Sequence, residues 1–243
     1  MSFFNNFPLE LYRFGNEVEG TVIQNLSAYV DIIDNLKDTA SFYEKYEILE
    51  GERADVLSSK LYGSQEFYWT FYCMNDNIKK HGFPLRETEL TAWVKKKYTN
   101  TVLTTKNQFF DKLLPGETVL GQTSGTTGTV VSRNLDLGQI VIQGTKAFTA
   151  SGEVVQKQGN STKYVTVEAS TDRSEHLALR YYIDASGNQV DVDPSVGEAG
   201  SYAIVTNLDH HSAVNKKNRE IRVIRPGAIS RIFTLYKQSL VNS

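Results

Sequence analysis

The residues best suited by type and spacing to do chemistry lie in VLGQTSGTTGTVVSRN, Val119 to Asn134. Ser124-Gly125-Thr126-Thr127-Gly128 has the composition of a loop that cradles phosphate. Such loops aim backbone N–H groups, and usually a lysine, at anionic oxygens. Here Thr129-Val130-Val131 continues as a strand and the first following cation is Arg133. Between short strands, Gly125 and Gly128 are expected to permit the positive φ angles of a tight turn. Three further groups carry chemistry-bearing types. His210 and His211 are adjacent, so on a strand they point to opposite faces, and no spaced histidine or second cysteine completes a zinc set. Asp184, Asp191 and Asp193 lack the spacing of a calcium loop, which predicts a solvated hairpin. Cys73, within an aromatic run, reads as a small buried hydrophobe. No catalytic residue, cofactor or metal ligand is expected.

The elements that would have to position such residues sit in a chain of 243 residues, long enough for one large or two small domains. Apolar residues are 40% and charged residues 22%, as in a globular protein, and the net charge of −2 draws in neither nucleic acid nor an anionic membrane. A single cysteine cannot form an internal disulfide and suits a reducing cytosol. No apolar run approaches a bilayer span, and MSFFNNFPLELYRFG lacks the pattern of an export signal. Its aromatics, Phe3, Phe4 and Phe7 among them, predict packing onto this chain's own core or docking to a partner.

Val22, Leu26, Tyr29, Ile33 and Leu36 recur at helical spacing and predict an amphipathic helix over 21–40. SFYEKYEIL alternates as a strand. ERADVLSSKLYG is a helix with Gly63 as its left-handed C-terminal cap, and Ser64 can cap the next helix, SQEFYWTFYCMNDN. In that helix Phe67, Phe71 and Met74 form one face, expected to pack on Leu57 and Leu61. Tyr68, Trp69, Tyr72 and Cys73 widen the apolar surface to most of the circumference, so the helix is buried on several sides. HGFPL breaks the pattern, so that the unit from Phe42 to about Leu85 reads strand, helix, helix and a short extended return, and RETELTAWVKKKY resumes as a helix with Leu90, Trp93, Val94 and Lys97 in register. From about residue 101 the texture turns to β-hairpins, with TGTVVSRN, GQIVIQG and GEVVQKQ as strands. A further hairpin turns at 184–188, VGEAGSYAIVTNLDHHSAV reads mostly as loop, and the chain closes with a strand through Ile221, Val223 and Ile224. Pro226 then opens a helix facing Ile229, Ile232, Phe233 and Tyr236.

ADVLSSKLYGSQEFYWTFYCMND, with its Leu-Tyr-Gly, aromatic-Tyr-Trp and Asn-Asp-Asn progression and the turn Phe83-Pro84-Leu85, resembles the LysM module, a compact βααβ fold. More closely it resembles the LysM-like baseplate wedge protein of T4-like contractile-tailed bacteriophages. The terminal REIRVIRPGAISRIFTLYKQSL matches a second signature of that family. The resemblance implies an α+β fold: N-terminal arm and helix (1–40), LysM-like βααβ unit (41–100), inserted small all-β module (101–160), then hairpin, loop and C-terminal strand-helix (161–243).

It also implies structural work in the virion, in the tail baseplate, after assembly in the host cytoplasm. The expected partners are the helical-bundle wedge subunits, the sheath-initiator protein and neighbouring copies around the tail axis. Nucleic acid and membrane are not expected partners. The expected interface residues are Tyr62, Tyr68, Trp69, Tyr72, Phe3, Phe4 and Phe7. The alternative is a peptidoglycan-binding LysM-type tail protein. An adenylating enzyme is a distant third, because such enzymes follow their glycines with Pro-Lys and are much longer.

Overall fold

The computed structural model describes residues 7–15, 18–25, 39–149, 152–168, 173–194 and 202–242. Phe3, Phe4 and the expected helix positions Leu26, Tyr29, Ile33 and Leu36 lie outside them. The chain is mixed α+β and divides into two compact units, one of residues 1–86 with 215–243, the other of residues 87–214. The second unit thus begins and ends elsewhere than the 101–160 expected for an insertion.

In the first unit, strands β1 (Leu9–Tyr12) and β2 (Thr21–Gln24) form an antiparallel hairpin. The helix expected from residue 21 is corrected at its start: residues 21–24 are extended because they complete the ladder with β1. β3 (Tyr43–Glu47) is followed by α1 (Ala54–Tyr62). Gly63 ends α1 with φ of 70°, as its position predicts, and Ser64 accepts a hydrogen bond from Glu66 N at 3.2 Å.

The next expected helix is broken into a 3-10 turn (Gln65–Phe67), α2 (Trp69–Met74) and α3 (Asp76–His81). The break falls at Asn75, which is extended and buried. Its carboxamide donates to the carbonyls of Phe71 and Arg222, both at 2.8 Å, and accepts from Arg222 N at 2.7 Å.

Arg222 belongs to β14 (Glu220–Ile224), the antiparallel partner of β3. The ladder places Ile48 N on Arg219 O and Arg225 N on Phe42 O. Bonded pairs therefore fall on odd-numbered residues of β14, and Arg222 turns its N–H and C=O away from β3. Asn75 meets both, a one-residue substitute for a third strand. A return strand at Phe83-Pro84-Leu85 is corrected accordingly: β3 pairs with β14, and Leu85 instead exchanges two 2.9 Å hydrogen bonds with the side chain of Asn215. After β14, α6 (Pro226–Asn242) buries Ile229, Ile232 and Tyr236.

Two apolar clusters result, one on each side of α2. Phe71 joins Ile48, Leu57, Ile78, Ile221 and Val223. Trp69 and Met74 join Phe7, Ile224, Ile229, Ile232 and Tyr236. The single face expected for Phe67, Phe71 and Met74 is thus split, because a helix buried on both sides must divide its apolar residues between two cores.

The second unit opens with α4 (Glu87–Lys97), which buries Leu90 and Val94. Among the described residues ten strands follow: β4 (Thr101–Thr104), β5 (Thr118–Gly121), β6 (Thr127–Asn134), β7 (Gln139–Ile142), β8 (Val154–Lys157), β9 (Asn160–Thr166), β10 (Arg173–Ser174), β11 (Leu179–Ile183), β12 (Gln189–Val190) and β13 (Ala203–Thr206). Seven form a sheet in the order β10-β4-β7-β6-β5-β8-β9, antiparallel at each pairing. Its core holds Leu103, Phe109, Leu113, Val119, Ile140, Ile142 and Val165. The order β12-β11-β13 makes a smaller sheet.

The segment read as loop after residue 197 holds β13 and then α5 (Asn207–Lys217). A reciprocal cap starts that helix: Asp209 N donates to Thr206 Oγ1 at 3.1 Å while Thr206 N donates to Asp209 Oδ2 at 3.0 Å.

Candidate functional site

The aromatic run 62–72 is built by the turn after Gly63, which sends Tyr68 and Tyr72 one way and Trp69 the other. Trp69 is 5% exposed, its ring 4.8 Å from that of Tyr236 and 6.3 Å from that of Phe233. Phe7, at 9%, sits in the same cluster. Both residues fill this chain's own core rather than present area to a partner, because α6 supplies the apolar surface that local reading of the run does not reveal.

Tyr62 is half-buried, stacked on Phe71 at 5.9 Å and edge-on to Phe67, and its hydroxyl donates to Ile224 O at 3.0 Å. Burial pushes its phenol, like that of Tyr236, well above the ordinary range. Tyr62 is therefore a brace between α1 and the end of β14. Tyr72 is half-buried against Phe83 at 6.2 Å; burial, and then the neighbouring Tyr68, raise its phenol. Tyr68 is exposed, at 36%. Of the expected interface residues described, Tyr68 is exposed and Tyr62 and Tyr72 are each half-buried, so these three retain aromatic surface. Neutral phenols of this kind can give apolar area and a hydrogen bond together, a combination suited to protein contacts.

The threonine-glycine loop connects β5 to β6 and has an internal occupant. Backbone N–H groups of Thr123 and Ser124 donate to Glu153 Oε1 at 3.1 and 2.7 Å, and Thr149 N donates to Glu153 Oε2. Glu153 is buried. The loop is the turn expected of it, and its backbone N–H groups hold a carboxyl of the same chain, that of Glu153, which the sequence reading did not foresee.

Gly125 has φ of +67° with open space around it, as a turn requires. Gly128 is corrected: it has no positive φ, and a Cβ there would lie 2.3 Å from Ile142 Cγ2. It is glycine for close packing against β7.

His210 and His211 lie on α5, not on a strand. Tyr181 Oη is 3.2 Å from His210 Nδ1, and Tyr98 Oη is 3.1 Å from His211 Nε2. Arg180 donates to the same Tyr98 oxygen at 3.2 Å. Asp184 closes the predicted hairpin, its carboxylate accepting from Ser186 N and Asn188 N, which lowers its pKa. Among the described residues no three His, Cys, Asp or Glu are placed to hold a metal ion. Cys73 is a half-buried thiol packed on the α6 cluster.

Residues that sequence reading passed over include Glu153 and Asn75, whose partners lie far along the chain. Among the described residues no helix is long and apolar enough to cross a membrane. Compared with known proteins, the chain matches no protein-family model and no curated protein sequence.

Proposed function

We propose that this chain is a structural component of a contractile-tail baseplate wedge, joining inner-baseplate subunits and neighbouring wedges. The observation that carries the reading is the pairing of β3 with β14. The two stretches that resemble the wedge family, around 42–85 and 219–240, are far apart in sequence yet belong to one compact unit. With the second unit set aside, β3 of that unit is followed by α1, α2 and α3 and then by β14, an order that supports a βααβ reading if α2 and α3 are counted as one helix interrupted at Asn75. Its N-terminal hairpin and C-terminal helix are additions to that order.

In this reading the chain works by surface rather than by chemistry. The outward aromatic patch at Tyr68 and Tyr72 meets a helical-bundle wedge subunit or the sheath-initiator protein in the virion. Assembly takes place in the host cytoplasm.

The test is reconstitution with purified wedge proteins followed by sedimentation. The wild type should enter the wedge, and Tyr68→Ala should stay folded but fail to enter. Phe71→Ala should cost about 3–5 kcal/mol and unfold the first unit. Entry of Tyr68→Ala at the wild-type level would refute the interface. Failure of the wild type to enter, with retention on purified cell wall, would replace the reading with peptidoglycan binding.

A further inference from the structure

The loop between β4 and β5 presents Phe110, 79% exposed, from a segment that is held unusually firmly. One guanidinium nitrogen of Arg133 lies 2.8, 3.1 and 2.7 Å from the carbonyl oxygens of Phe109, Phe110 and Lys112. Lys163 Nζ caps the remaining one, Asp111 O, at 3.0 Å. Leu113 is fully buried and held at φ of +48°, a conformation that a branched side chain adopts only where its surroundings impose it. Phe109 and Leu113 anchor the loop in the core, while Phe110 between them points outward. A large apolar ring exposed on a loop braced in this way is preorganised for contact, since little entropy remains to be lost on docking.

The surroundings state what would dock. Phe110, Leu135, Pro194, Lys106 and Asp193 are among the residues that line one cavity of about 190 Å³. Gly138 forms part of it, and a Cβ there would strike Thr105 O at 2.3 Å. Around the loop stand Lys112, Lys163 and Arg133. Among the described residues none of these three makes an ion pair, and the nearby Glu117 is taken by Lys157 at 2.6 Å. Lys106, itself exposed, has a 3.9 Å pair with the half-buried Glu168. Lys112, Lys163 and Arg133 outnumber Asp111 of the loop and Asp193 of the cavity lining, and this excess of positive charge beside an apolar cavity complements an acidic, apolar segment. A nucleic-acid strand fits less well, because successive bases need successive ring faces. The face of Tyr164 is already covered by Lys112 at 5.4 Å, which leaves Phe110 alone.

We propose that the Phe110 loop is a docking point for an acidic protein segment that sets an apolar side chain beside Phe110 and Leu135 and lays carboxylates against Lys112 and Lys163. The proposal concerns the second unit and does not rest on the wedge reading. It is tested on the full chain by fluorescence anisotropy with a labelled peptide of alternating Asp and Leu, about twelve residues long. Matched peptides carry Ser or Lys in place of Asp, and an oligothymidylate of similar length completes the set.

The acidic peptide should bind at least about tenfold more tightly than the Ser peptide and weaken as salt rises. Phe110→Ala and Lys112→Glu should each lose about tenfold while melting as the wild type does, since both side chains lie outside the core. No binding of the acidic peptide, equal binding of the Ser peptide, tighter binding of the oligothymidylate, or an unchanged affinity in Phe110→Ala would each overturn the proposal.

Discussion

Replacing Asn75 by alanine should damage the first unit more than its small size suggests. The side chain is 6% exposed and makes three hydrogen bonds, two to Arg222 on β14 and one to the last turn of α2. Alanine leaves the N–H and C=O on the outer edge of β14 and the Phe71 carbonyl without that partner. An unsatisfied buried polar group costs about 1–3 kcal/mol, and partial access of water to the edge lowers the sum, giving roughly 3–5 kcal/mol in all. That corresponds to a fall of about 12–20 °C in melting temperature for a unit of this size.

Aspartate is the sharper comparison. It has the same shape, but at neutral pH it would turn a carboxylate oxygen towards two carbonyl oxygens, so Asn75→Asp should be no more stable than alanine. Urea unfolding followed by far-ultraviolet circular dichroism gives the midpoint and slope for each variant, and an unchanged slope licenses the comparison. A loss under about 1 kcal/mol in Asn75→Ala, or wild-type stability in Asn75→Asp, would refute the claim that this carboxamide closes the sheet.

Excising 87–214 and joining Arg86 to Asn215 through a short Gly-Ser linker should leave the first unit folded, because Leu85 and Asn215 already exchange two hydrogen bonds; loss of any cooperative melting transition would contradict this. Glu153→Ala removes the acceptor for the N–H groups of Thr123, Ser124 and Thr149 and should cost about 3 kcal/mol. Hydrogen exchange should show these amides losing protection, and unchanged protection would refute the assigned cradle. The Lys157 hydrogen bond, ahead of the Leu114 N–H, holds the Glu117 carboxyl below its ordinary range. A depressed folded value means the contribution is present above the unfolded carboxylate pKa and is lost as pH falls through the folded value. Melting curves below about pH 4.5 should therefore drop less steeply for Lys157→Met than for the wild type.

What was legible in the sequence was local. The alternation of β3, the cap at Gly63 and the strands β6, β7 and β8 follow from period and turn chemistry within a few residues. The partner of β3 was not legible in that way, because pairing is a long-range choice and the nearest extended stretch, Phe83-Pro84-Leu85, is a plausible but unused one. The end of α2 near Asn75 is marked by Asn75-Asp76-Asn77, whereas the further helix α3 from Asp76 and the long-range bonds of Asn75 to Arg222 carry no local sign. Trp69, an interface residue on the family resemblance, lies in a core because α6 supplies the second apolar cluster, and nothing local to the aromatic run points to α6. The helix α5 did carry a sign, the Thr206-x-x-Asp209 cap, which the surrounding Gly, Asn and Asp obscured. For the threonine-glycine loop, composition predicted the turn and not that Glu153 binds there.

The central claim is that this chain is part of a contractile tail, and immunogold labelling tests it most directly. Antibody raised against the purified chain would be applied to intact tails from cells that produce it, and gold positions scored by negative-stain microscopy. The account predicts gold concentrated at the baseplate end of the tail. Tails that carry no gold, or gold spread along the sheath, would contradict it.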